Sequence, residues 1–320
     1  MGSFATPTLT DLPAELLLEI VSYGSYSFNF LCPVVNQEAL EQRRPRRDTL
    51  RALSQSCSAL RRVSLPLLWE RVDISNPEFR PSSPQSEVAM CIFPYIKYVH
   101  LSMGSWCPQS FQGTETLPLL LEFLCALPNL SGLQIYYPSE PSESIIETIS
   151  SAFSEVSLPT VSALSIPENE KLFTILPAFS NLRILAFPWL SKHSEALAAA
   201  KTHLLHLDAL VGLRVRLYNR NETFTTLASD FPRLRVLSVA DPFQIKYEPC
   251  LRRLSVFTHL SELGLFHTES GLNDFLSLDK LVVGGRDVLR ASQSNGPKML
   301  WVWGNDKEGS GARLVYFERL

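Results

Sequence analysis

The chain has 320 residues, 45% of them hydrophobic and 19% charged, the proportions of a folded globular protein. A formal charge of −3 gives no general attraction to nucleic acid or to an anionic membrane, and neither is expected as a partner. The six cysteines (Cys32, Cys57, Cys91, Cys107, Cys125, Cys250) are scattered and never two apart in a metal-type pair. They read as reduced thiols of a cytoplasmic and/or nuclear protein. No basic segment followed by an apolar core opens the chain, so no secretory signal is expected. The sequons at Asn129 and Asn221 then read as chance matches. The longest apolar stretch, 117–127, contains Glu122 and is too short to cross a bilayer.

In chain order, the first predicted element is a helix over 9–22. Thr10 or Asp11 caps it, Pro13 and Glu15 occupy its first turn, and Leu12, Leu16, Ile20 and Tyr23 recur at helical spacing. Residues 24–48 are polar, basic and proline-containing and are expected to form a loop; Arg43-Arg44-Pro45-Arg46-Arg47 reads as solvated, with a nuclear-localisation signal as the other reading. A second helical pattern places Leu50, Leu53, Cys57, Leu60 and Ser64 in one phase, with Pro66 expected to break it before Leu67-Leu68-Trp69. Short helices with exposed apolar stripes suggest docking to a partner.

These residues resemble an F-box. Leu9-x-x-Leu12-Pro13-x-Glu15-Leu16-Leu17-x-x-Ile20 is similar to the opening of that motif. Leu50-x-x-Leu53-x-x-x-Cys57-x-x-Leu60, followed by Leu68-Trp69-x-Arg71-Val72, is similar to its second half. The resemblance covers residues 9–74 and departs from the family in the length of the 24–48 segment. It implies a small all-α domain that binds the Skp adaptor, and through it a cullin, with Leu9, Leu12, Pro13, Leu16, Ile20, Leu53, Leu68 and Trp69 as adaptor contacts. An ordinary helical hairpin capping the next domain is the other reading.

From residue 94 the unit apolar-x-x-apolar-x-apolar recurs. It occurs at Ile96-Val99-Leu101, Leu130-Leu133-Ile135, Val161-Leu164-Ile166, Leu182-Leu185-Phe187, Leu210-Leu213-Val215, Leu234-Leu237-Val239 and Leu260-Leu263-Leu265. A weaker eighth copy is Leu278-Leu281-Val283. Successive starts differ by 34, 31, 21, 28, 24, 26 and 18 residues, and the middle values match the period of leucine-rich repeats. Proline precedes four units by two residues (Pro94, Pro128, Pro159, Pro232), so each unit reads as helix, stop, strand. Helices are predicted over 117–127, 144–156, 170–179, 195–207, 224–231 and 251–259. One strand and one helix cannot bury their own apolar face, so the units must stack into a parallel sheet backed by a helical layer. The asparagine of the repeat family appears once, at Asn169, so the repeats are degenerate. Degenerate repeats behind a short F-box are similar to the fungal F-box proteins.

After residue 291 the pattern changes. Met299–Trp303 and Arg313–Phe317 flank a glycine-rich segment and predict a β-hairpin cap, with Trp301 and Trp303 covering the last apolar face. The domains expected are therefore an F-box at 9–74, repeats at 94–290 and a cap at 291–320. The fold class is α/β: a leucine-rich-repeat solenoid with a small all-α segment before it.

No catalytic constellation is visible. His203 and His206 lie three apart without a third ligand, Cys57 belongs to an apolar stripe, and Cys107 has no neighbour to lower its pKa. No enzyme, metal or cofactor is expected. Strand alternation puts Tyr98, His100, Gln134, Arg214, Arg216 and Glu262, with Tyr136 and Phe266 just beyond, on the face opposite the motif leucines. These are the candidate contacts to an unknown target protein, and Arg214 with Arg216 suits a carboxylate or phosphate. The reading is a target-recruiting subunit of a Skp–cullin–F-box ubiquitin ligase. A repeat scaffold without a ubiquitination role and a misread α/β enzyme are the alternatives.

Overall fold

The computed structural model describes residues 37–74, 87–103, 116–137, 143–167, 169–187, 202–204, 207, 209–216, 227–240, 254, 256–267, 282, 285–290, 292, 298–305 and 312–319. The helix expected over 9–22 lies outside these residues.

Two helices open the described chain, α1 (Gln37–Ser56) and α2 (Ser58–Trp69). The loop expected over 24–48 is thus helical from Gln37 onward. The break falls at Cys57, not Pro66. Cys57 is extended (φ −157°, ψ 167°), and its Sγ accepts the Leu60 N–H at 3.5 Å, capping α2, while Pro66 sits inside that helix. Arg61 Nε donates to Ser54 O at 2.8 Å across the joint, and Leu53 and Cys57 pack against buried Leu60 and Val63. This small apolar cluster is separate from the main core.

The main core lies under one sheet of ten strands in sequence order. They are β1 (Arg71–Ile74), β2 (Tyr98–Ser102), β3 (Gly132–Tyr136), β4 (Ala163–Ser165), β5 (Ile184–Ala186), β6 (Gly212–Arg216), β7 (Val236–Ala240), β8 (Glu262–His267), β9 (Met299–Asn305) and β10 (Ala312–Arg319). The first nine are parallel, and β10 returns antiparallel to β9. Seven sequence motifs supply β2 to β8. Among the described residues the eighth supplies no strand: β8 pairs directly with β9, and Val282, inside that motif, is helical.

Register explains why leucine recurs. Val72, Val99, Leu133, Leu164, Leu185, Leu213, Leu237, Leu263 and Leu300 form one row across nine strands. From Val99 onward each is almost wholly buried. A second buried row, two residues on, runs through Ile74, Leu101, Ile135, Val239, Leu265 and Val302. Leu300 and Val302 therefore cover the end of the core, and register puts Trp301 and Trp303 on the opposite face.

Against this face pack the short helix α3 (Glu87–Ile92), α4 (Thr116–Cys125), α5 (Glu143–Ser154) and a 3-10 helix, Glu170–Ala178. The last contains Pro177 and is capped by Asn169, whose side chain accepts the Lys171 N–H at 2.9 Å. Lys171 ties it to α5 through Glu143 and, at 2.7 Å, Glu147. Farther along, 202–204 and 227–230 are helical inside two of the predicted segments.

Backbone geometry repeats as strictly as the leucines. The carbonyl of the residue before each of β1 to β7 accepts two successive N–H groups from the next unit. Glu70 O takes those of Lys97 and Tyr98; Lys97 O takes those of Ser131 and Gly132; and Ser131, Ser162, Arg183, Val211 and Arg235 continue the series, all at 2.7–3.0 Å. Three residues before five of the motifs, the carbonyl of a further buried apolar residue closes a turn. Leu127, Leu158, Phe179, Leu207 and Phe231 each accept the N–H of the motif's first residue. Asn129 Nδ2 and Asn181 Nδ2 bridge to the previous unit's Pro94 O and Pro159 O at 2.7 and 2.9 Å.

Candidate interaction surface

The sheet's second face carries the row Asp73, His100, Gln134, Ser165, Ala186, Arg214, Ser238, Gly264 and Trp301. Strand alternation alone fixes this set, because each member sits between two core positions. The predicted contacts fall into two groups. Tyr98, His100, Gln134 and Tyr136 lie on the paired strands β2 and β3, with His100 directly opposite Gln134. Arg214, Arg216, Glu262 and Phe266 lie on β6 and β8, with β7 between them. From β3 to β6 is three strand spacings, about 14 Å.

Exposure divides the same residues differently. His100 is 2% exposed, Gln134 5% and Arg214 3%, so these three are buried inside this face. Tyr98, Tyr136 and Glu262 are half-buried. Arg216 and Phe266 are placed by the register of β6 and β8. Burial pushes the Tyr136 phenol up and the Glu262 carboxyl above the usual carboxylate range. At the end of β3, burial also raises the pKa of Tyr137, whose hydroxyl has no hydrogen-bond partner among the described residues.

A polar cluster on β1 and β2 was not legible from the motifs. Arg71 Nε donates to Asp73 Oδ1 at 3.1 Å along β1, and His100 Nδ1 lies 3.3 Å from the same oxygen. The His100 ring stacks at a tilt on Tyr136, with centroids 6.0 Å apart. Desolvation lowers the Arg71 pKa, and the Asp73 charge and hydrogen bond oppose that shift. A signal for this strand was present: Trp69-x-x-Val72-x-Ile74 has the same spacing as the eight motifs. It lies within the segment that resembles an F-box.

Of the predicted adaptor contacts, Leu9, Leu12, Pro13, Leu16 and Ile20 lie outside the described residues. Leu53 faces Leu60 and Val63, while Leu68 and Trp69 are half-buried at the end of α2. His203 lies on the short helix at 202–204, and His206 is outside the described residues. Among the described residues, no group of three His, Cys, Asp or Glu side chains is placed to hold a metal ion, and no helix is long and apolar enough to cross a membrane.

The chain is an α/β protein with nine parallel strands in sequence order, a solenoid-like sheet closed by one antiparallel strand. No family model matches it, and no curated protein does. Among solved structures it is similar to human 5T4 (Wnt-activated inhibitory factor 1, trophoblast glycoprotein). That likeness is 14% identity over 74% of this chain and 77% of that one, with a TM-score of 0.31. Strand order and register define the fold.

Proposed function

We propose that this chain is a non-catalytic protein-recognition subunit of a Skp–cullin–F-box ubiquitin ligase, its N-terminal segment held by the Skp adaptor and its sheet presented to a target protein. The observation that carries this reading is a junction. The segment that resembles an F-box, 9–74, runs through α2 into β1, and one residue, Glu70, separates the two elements. Glu70 O already belongs to the ladder of double-acceptor carbonyls, and Lys97 Nζ reaches the Glu70 carboxylate at 3.1 Å. A partner held by the helices would thus be held at a fixed orientation to the sheet. Fixed proximity between a bound target and a tethered ubiquitin-conjugating enzyme is all the rate enhancement such a subunit supplies. It needs no cofactor and works in the cytoplasm or nucleus.

Target contact falls first to the half-buried Tyr98, Tyr136 and Glu262, with Arg216 and Phe266 on neighbouring register positions. Buried His100, Gln134 and Arg214 support that face from within. A repeat scaffold with no ubiquitination role is the second reading. It is favoured by the inward packing of Leu53, which leaves that side chain facing its own helical pair.

Capture of the purified Skp adaptor by full-length chain separates the two readings. Truncating aliphatic anchors at an interface costs ~2 kcal/mol or more, roughly a thirtyfold loss of affinity. Leu12→Ala with Pro13→Ala should therefore abolish capture while the circular dichroism of the repeats is unchanged. Undiminished capture by the double variant ends the F-box reading and leaves the scaffold.

A further inference from the structure

We draw no further inference here: the strongest candidate, the row of buried side chains that carries His100, Gln134 and Arg214 on the sheet's second face, belongs to the surface already described, and nothing in the structure shows what covers it.

Discussion

Leu185→Ala is the sharpest test of how the stack is held together. Leu185 is wholly buried in β5, between Leu164 of β4 and Leu213 of β6 in the same row. Burying a leucine side chain contributes roughly 1.5–3 kcal/mol by transfer from water. The cavity left by alanine adds to that loss, and Leu→Ala costs in cores span about 2–5 kcal/mol. Here relaxation is restricted. β4 and β5 are only three residues each, and both flanking units are pinned by paired N–H donors to the Ser162 and Arg183 carbonyls. The expected cost is therefore in the upper part of the range, about 3–4 kcal/mol, a large share of a typical total near 5–15 kcal/mol. Urea unfolding followed by circular dichroism measures it. Because each unit touches only its neighbours, the variant should also broaden the transition as the halves on either side of β5 uncouple. Met90→Ala, at a side chain 62% exposed, is the control and should shift stability by no more than about 0.5 kcal/mol. A loss under about 1 kcal/mol for Leu185→Ala would show that the row is not the core of the solenoid.

Two other outcomes follow from the second face. Arg214→Ala removes a buried, polar side chain and should destabilise the fold by about 1–3 kcal/mol in the same urea assay, so any loss of target capture must be read on a stability-matched variant; an unchanged midpoint contradicts the burial. Burial raises the Glu262 pKa in the fold, so the stabilisation from protonating it is fully present below the unfolded carboxylate pKa and is lost as pH rises through the folded value. Glu262→Gln should therefore be more stable than wild type at neutral pH, with the difference vanishing under acidic conditions; a difference that grows on acidification reverses the assignment.

The repeats were legible because their signal is physical and redundant. A leucine every unit at a position that no other spacing can bury, with proline stopping the preceding helix, dictates a parallel strand, and β2 to β8 fall on the seven strong motifs. The misreadings have separate causes. The eighth motif had the spacing but supplies no strand among the described residues, while β9, expected as a hairpin strand, also continues the parallel sheet although Pro297 stands where the other units start on an apolar residue. The polar, basic composition of 37–48 hid a helix, because no apolar periodicity marks it. Cys57 separates α1 from α2 through its extended backbone, and its thiol caps α2; neither is visible in hydropathy. The open question of the second face was also invisible. Alternation assigns His100, Gln134 and Arg214 to it correctly, but alternation says nothing of depth, and all three are buried. The Arg71–Asp73–His100 cluster needed the register of β1 against β2, which only the folded backbone supplies.

The most direct test of the proposed role is calorimetric titration of the purified full chain with the purified Skp adaptor. The account predicts saturable one-to-one binding at micromolar affinity or tighter, lost in the Leu12→Ala, Pro13→Ala variant. Absence of binding by a natively folded wild-type chain would contradict it.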